Sequence, residues 1–205
     1  MKKLIIKYNL EILSVYTLAM LGVLVAFWSS FSLVQRITVG FLELIMLHEW
    51  EETRFPGGFF EMMGGIMKVD MSKAPAEYLH LPVTVFIVLF TLLPLLFPKV
   101  AGLFLSLMIL GLFEGLVHIA GIKLGRKKKP YTPGMISGEV LLVYAVIGIY
   151  LAVSMGLIAP LDWLLGIMVF AGGFVLMETG VYRVLGLKYT DVLKHMRANM
   201  KGTQP

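Results

Sequence analysis

Residues 99–124 read KVAGLFLSLMILGLFEGLVHIAGIKL, an apolar run that contains one glutamate and one histidine in its second half. The run is longer than a helix that crosses the hydrocarbon core of a bilayer, which needs about 20 residues. Glu114 and His118 are four residues apart, so they share one face of such a helix. The run therefore predicts a membrane-spanning helix that carries an ionisable pair.

Comparable apolar runs lie on both sides of this one. The predicted spans cover roughly residues 9–33, 36–53, 77–97, 99–124, 136–158 and 160–186. Pro98 separates the third span from the fourth, and Pro160 opens the last, both natural positions for a break or a first helical turn. We predict an all-α polytopic membrane protein, a six-transmembrane-helix bundle with short loops over residues 1–186. Residues 187–205 are predicted to form a cytoplasmic interfacial helix.

Composition supports the membrane class. Hydrophobic residues make up 58% of the 205 residues, charged residues 15%, and the mean hydropathy is +0.84. A soluble domain of this length has too little interior to bury so much apolar surface. The chain has no cysteine, which excludes disulfides, a thiolate metal site and a cysteine nucleophile.

Basic residues set the predicted orientation. With both termini in the cytoplasm, 16 of the 18 Lys and Arg residues face the cytoplasm, and only Arg36 and Lys99 face outside. In this orientation the basic run at residues 126–129 is predicted to be a cytoplasmic loop that contacts anionic lipid headgroups. We therefore expect no nucleic-acid partner. The N-terminal run is longer than a cleavable signal segment, so we expect it to be retained. A bacterial inner membrane is the simplest setting.

Ionisable groups of the predicted spans lie near one depth, close to the cytoplasmic ends of the helices. Each charge inside a membrane costs about 2.5–3.5 kcal/mol on insertion scales, so these groups must be paired, solvated or bound to a cation. Alternating helix directions bring the following residues to this level: His48, Glu51, Glu52, Glu77, His80, Glu114, His118, Glu139 and Glu178.

Helical spacing makes this set a predicted metal site. His48, Glu51 and Glu52 share one helix face, while Glu49 is expected to point toward headgroups or a neighbouring helix. Glu77 and His80 have the Glu-x-x-His spacing of ferritin-like two-metal sites. An alternative is that Glu77 and Glu139 only interact with helix dipoles in first turns. Our predicted ligands are His48, Glu51, Glu52, His80, Glu114, His118, Glu139 and Glu178.

The string His48-x-x-Glu51-Glu52 resembles the signature of the HXXEE-domain family of small bacterial membrane proteins. The later Tyr131-Thr-Pro-Gly134 loop, after a helix that bears Glu and His, also resembles that family. The resemblance implies a membrane enzyme but no particular reaction. In the loop, a Pro-Gly turn could return Tyr131 toward the site, where it would orient a substrate or donate a proton. A turn with an interfacial tyrosine is the alternative.

An oxygen- and imidazole-rich ligand set favours iron, manganese or zinc. There are enough predicted ligands for two ions, which suits oxygen activation, and we predict oxidation of a lipid-like or other hydrophobic substrate. The first alternative is a zinc-dependent hydrolase of lipids or amides, with Glu51 or Glu52 as general base. The second is a non-enzymatic transporter or sensor coupled to protons or metal. We predict Glu52 and Tyr131 as catalytic residues.

The segment between the second and third spans, residues 54–76, is rich in glycine and methionine. Glycines break regular structure, and methionines form adaptable apolar surface. The segment reads either as a lid over a cytoplasmic entrance or as an ordinary interfacial connector. Predicted partners are membrane lipids and a hydrophobic small molecule, and the oligomeric state is left open.

Overall fold

The computed structural model describes residues 2–124 and 131–200. Within those ranges regular structure is helical and no strand occurs, which confirms the predicted all-α class. The basic run at residues 126–129 and the end of the predicted tail, residues 201–205, lie outside the described residues.

In the described part of the chain, six long helices carry the fold, and three shorter helices lie at their ends. In chain order the helices are α1 Lys2–Lys7, α2 Asn9–Ala26, α3 Leu33–Thr53, α4 Phe59–Met67, α5 Ala76–Leu96, α6 Ala101–Leu124, α7 Met135–Ser154, α8 Pro160–Val184 and α9 Tyr189–Met200. The predicted span boundaries lie within about four residues of these bounds. The exception is the end of the first span, since α2 ends at Ala26 and a short 3-10 turn follows at Trp28–Ser30.

Five of the long helices, α2, α5, α6, α7 and α8, are long and apolar enough to cross a membrane. Large apolar side chains cover the outer faces of α7 and α8, among them Val143, Tyr150, Leu161 and Leu176. These faces suit lipid, because a water-soluble protein rarely exposes so much contiguous apolar surface. Helix α3 was predicted to be a further span, but it contains too many charged residues to be counted among these apolar helices.

Helix α3 lies in the interior of the bundle and contacts α2, α5 and α7. Its apolar residues Phe41, Leu42 and Ile45 are almost fully buried and join a core with Phe104 of α6 and Leu141 of α7. Ser32 caps the start of α3 by accepting a hydrogen bond from the Gln35 backbone N–H. The apolar half of α3 thus anchors the helix, and its polar half lies between α5 and α7.

Two of the three shorter helices, α4 and α9, cover one end of the bundle. Gly58 and Lys68 flank α4 with positive φ angles of 94° and 56°, so the chain turns sharply on both sides of this helix. Val192 of α9 is buried in a small apolar cluster with Met71, Val181 and Tyr182. Helix α9 therefore packs on the end of α8 and on α4.

Candidate metal centre

Two histidines and two glutamates meet inside the bundle. His48 and Glu52 come from α3, and Glu114 and His118 come from α6. One ligand atom from each residue lies within 4.8 Å of the other three, so the group could hold a metal ion. Three of the residues are buried, His118 and His48 almost completely, and Glu114 is partly exposed.

Both imidazole Nε2 atoms approach both carboxylates. His118 Nε2 lies 3.1 Å from Glu52 Oε1 and 3.9 Å from Glu114 Oε2. His48 Nε2 lies 3.4 Å from Glu52 Oε1 and 3.5 Å from Glu114 Oε2. These distances place Nε2, and not Nδ1, on the side of each ring that faces the carboxylates.

The start of α7 brings these residues of α3 and α6 together. The i, i+4 spacing of each His/Glu pair puts its two side chains on one helix face. An added Cβ at Gly138 would lie 2.9 Å from His118 Cδ2 and 3.5 Å from His48 Cε1. An added Cβ at Gly134 would lie 2.6 Å from Glu52 Cγ. The absence of side chains at these two positions is what leaves room for the rings and the carboxylate.

Hydrogen bonds on the far side of each ring determine its tautomer. The Ser137 hydroxyl donates to Glu51 Oε2 at 2.5 Å, so its oxygen accepts from His48 Nδ1–H at 3.1 Å. The Thr132 hydroxyl donates to the His118 carbonyl at 3.4 Å and accepts from His118 Nδ1–H at 3.1 Å. A neutral ring therefore has its proton on Nδ1, and its Nε2 lone pair faces the carboxylates.

The converging atoms lack hydrogen-bond partners. Among the described residues, His48 Nε2, His118 Nε2 and Glu52 Oε1 are buried and form no hydrogen bond. Buried polar atoms are nearly always hydrogen-bonded, because leaving one unpaired costs about 1–3 kcal/mol. Three such atoms directed at one another are characteristic of a site that is completed by a cation.

Glu51 has a different role from its two neighbours in the motif. Its Oε1 accepts from the Ile136 backbone N–H at 3.1 Å and from the Tyr131 hydroxyl at 2.8 Å. Its Oε2 accepts from the Ser137 backbone N–H at 2.8 Å. Glu51 therefore satisfies free N–H groups in the first turn of α7 and lies outside the group of four. Burial, with a smaller contribution from Glu51, raises the pKa of Tyr131 to about 12, so this phenol stays protonated at neutral pH.

His80 lies in a separate buried network. Its Nε2 is 2.7 Å from Glu49 Oε2, and its Nδ1 contacts the Asn9 side-chain oxygen. Thr84 also donates to that oxygen, at 3.0 Å. Sequence reasoning expected Glu49 to point toward headgroups or a neighbour, and the structure buries it to 4% exposure against His80. Both nitrogens of His80 are engaged here, away from the group of four.

The remaining predicted ligands also lie outside that group. Glu139 is half-buried on α7 with Oε1 unpartnered among the described residues, and Glu178 on α8 lines a neighbouring cavity. Glu77 is half-buried, and its backbone carbonyl accepts from Asn9 Nδ2 at 2.8 Å. The structure thus joins four of the predicted ligands and leaves Glu51, His80, Glu139 and Glu178 elsewhere.

A cavity of about 320 Å³ adjoins the group of four. Glu52, Glu114 and His118 form part of its wall, and Phe59, Met63 and Met67 of α4 cover it. Further wall comes from α6, α8 and α9, including Phe113, Met177 and Leu193. The segment that the sequence analysis read as a lid or a connector therefore contributes a whole face of this mostly apolar cavity.

A family model described as a protein of unknown function with HXXEE motif matches residues 39–151, more than half of the chain. This chain belongs to the HXXEE family. Neither the curated proteins nor the solved structures contain a match. The matched range includes all four residues of the group and the Tyr131–Gly134 loop, whereas Glu178 and α9 lie beyond it.

The residues of the HXXEE motif have two different sets of partners. His48 and Glu52 enter the group of four, and Glu51 holds the backbone of α7. Ser137 connects the two, because it contacts both His48 and Glu51. Sequence reasoning missed Ser137 and Thr132. The only available signal for Thr132 was its place inside the Tyr131–Gly134 loop, and Ser137 had none beyond its position near a helix start.

Proposed function

We propose that this HXXEE protein is an integral membrane metalloenzyme. His48, Glu52, Glu114 and His118 would bind one divalent ion, and the ion would serve the oxidation of an apolar molecule in the adjacent cavity, with molecular oxygen as the electron acceptor. The observation that carries the proposal is the convergence of these four ligand atoms within 4.8 Å, three of them buried without a hydrogen bond.

Charge balance supports a divalent cation. Two carboxylates and two imidazoles with bare Nε2 lone pairs present only acceptors to one another, and their repulsion is strong in a dry interior. One divalent ion cancels both negative charges and takes all four lone pairs. The resulting centre is neutral overall, which suits the apolar surroundings of the bundle.

Ligand chemistry supports iron or manganese. Two imidazoles with carboxylates and no sulfur are typical of non-haem iron and manganese sites, and zinc accepts the same set. Serine and threonine behind the two Nδ1 atoms fix the rings, as outer hydrogen bonds do in most histidine metal sites. We propose one ion per chain, since His80 and Glu51 have other partners.

We propose that α3 crosses the bilayer with the five apolar helices, which gives six spans with both termini in the cytoplasm. The membrane domain would be residues 1–186, and residues 187–205 would lie on the cytoplasmic surface. Positive-inside charge placement supports this orientation. In it the metal centre lies near the cytoplasmic side, and a bacterial inner membrane remains the proposed location.

Elemental analysis of detergent-purified protein tests the metal. We expect about one iron or manganese per chain in the natural protein and a loss of most of it in His118→Gln and Glu52→Gln. Glu43→Gln is the matched control, because Glu43 lies on α3 outside the group of four. Size-exclusion profiles of all variants check that they fold.

Each result has a definite meaning. Iron or manganese that is lost only in the two site variants supports the metal centre and leads to oxygen-consumption assays with membrane lipids. About one zinc per chain would replace oxidation with hydrolysis as the reaction. A chain prepared without chelators that contains no metal would overturn the metalloenzyme proposal.

A further inference from the structure

The cavity beside the metal centre is strongly acidic. Its ionisable lining consists of Glu49, Glu52, Glu114 and Glu178 with His118, and no lysine or arginine lines it among the described residues. The rest of its wall is mainly phenylalanine, methionine and aliphatic side chains. A negative potential inside low-dielectric walls is focused into the cavity and selects what can enter it.

Three of the four carboxylates have partners. Glu52 and Glu114 belong to the metal centre, and Glu49 pairs with His80 at 2.7 Å. Glu178 forms no ion pair with any residue that the structure describes. Glu178 is therefore the lining carboxylate that has no cationic partner among the described residues.

Aromatic rings and thioethers line the same cavity as Glu178. Tyr182 lies one turn further along α8 and stacks on Tyr189, with ring centroids 5.7 Å apart. Phe174, one turn earlier, packs edge-on against Phe113 at 4.9 Å. A carboxylate that shares a cavity with aromatic rings offers the chemistry that recognises an ammonium group, namely an ion pair and cation–π attraction.

We infer that the molecule held in this cavity is an apolar chain or ring that carries a protonated amine, with the amine at Glu178 and the apolar part along the methionine and phenylalanine walls. The inference rests on the proposed function in one respect, because the part of this molecule that reacts would lie at the metal centre. A fatty acid or another anionic amphiphile would place its negative charge beside Glu178 with no lysine or arginine in the described lining to neutralise it, so we expect it to bind less tightly. A cavity of about 320 Å³ fits a small molecule and not a whole phospholipid.

Binding of three matched probes tests this inference. Decylamine, decanol and decanoate have the same alkyl length and differ in head-group charge. Each is titrated into the full chain in nanodiscs of zwitterionic lipid, with empty nanodiscs subtracted. We expect decylamine to bind about tenfold or more tightly than decanoate, and Glu178→Gln to weaken decylamine about tenfold without weakening decanol.

A matched control and a metal readout keep the two proposals apart. Glu139→Gln removes a carboxylate on α7 that does not line the cavity, and it should leave all three affinities unchanged. Metal content is measured on the same nanodiscs. One result would overturn the amine site and leave the metal centre intact. In it the protein contains metal, decylamine and decanol bind equally tightly, and Glu178→Gln changes neither affinity. An amine preference lost in Glu178→Gln in metal-free protein would keep the amine site and overturn the metal centre.

Discussion

At the scale of single residues, a hydroxyl group behind each imidazole decides what that ring can do. Ser137 and Thr132 accept hydrogen bonds from the Nδ1–H groups of His48 and His118, so in the neutral form of each ring the Nε2 atom is an acceptor. Neutral rings with bare Nε2 atoms are metal ligands, whereas protonated rings would simply form ion pairs with the carboxylates. The chemistry of the centre thus depends on two small side chains that bear no charge.

Ser137→Ala should lower metal affinity about 10–100-fold, the usual cost of losing an outer hydrogen bond to a metal-bound histidine. The physical reason is that His48 loses the acceptor for its Nδ1 proton and Glu51 loses a donor. Competition with a fluorescent chelator measures the affinity. Ser154→Ala is the control, because Ser154 is exposed at the far end of α7 and its hydroxyl donates to the Leu151 carbonyl of the same helix. Equal affinities in the two variants would contradict the role of Ser137.

At the scale of elements, the first turn of α7 acts as the bridge between α3 and α6. Glu51 reaches from α3 to the free backbone N–H groups of Ile136 and Ser137, where the positive end of the helix dipole favours a carboxylate. Gly134 has a φ angle of 87°, a left-handed conformation that glycine adopts without strain. This anchoring holds the turn close to both histidines.

Gly138→Ala should reduce metal content strongly while the protein still folds. An added Cβ would lie 2.9 Å from His118 Cδ2, so the ring must move away from the group of four. Elemental analysis after equilibration with limiting metal measures the loss. Gly172→Ala is the matched control on α8, since its added Cβ meets nothing within 4 Å and alanine favours a helix by up to about 1 kcal/mol. Metal content unchanged in Gly138→Ala would show that the ring has room to shift.

At the scale of the whole molecule, α3 accounts for the difference between five apolar helices and six proposed spans. Its charged residues exclude it from the apolar set, yet more of its residues are buried than in α7 or α8. A polar helix is tolerated in a membrane when its neighbours shield and pair its charges. That shielding comes from the partners of three glutamates of α3. Glu49 pairs with α5, Glu51 with α7 and Glu52 with α6.

Cysteine labelling tests whether α3 crosses the bilayer. The chain has no cysteine of its own, so each introduced cysteine is the single thiol that can react. Ser30→Cys and Lys99→Cys should react with a membrane-impermeant maleimide in intact cells. Lys3→Cys and Lys73→Cys should react only after the membrane is opened. All four positions are exposed in the structure. Reaction of Ser30→Cys and Lys73→Cys from the same side would show that α3 does not cross.

Much of the fold could be predicted because its signals are local. Apolar runs of membrane-spanning length, with Pro98 and Pro160 between them, define the helices, since each helix satisfies its own backbone hydrogen bonds in lipid. The i, i+4 spacing likewise predicted the pairing of Glu114 with His118 on one face. The group of four that the structure assembles contains only residues that this reasoning had named.

The sequence alone therefore determined the helical membrane class, the family motif and the side chains that share a helix face. Only the tertiary structure decided that Glu52 joins the metal centre while Glu51 holds α7, that His80 pairs with Glu49, and that Glu178 faces the cavity without a described ion partner. The reason is that helix periodicity fixes relations between residues three or four apart. Contacts such as His48 with Ser137 join residues 89 positions apart, and these depend on how whole helices pack.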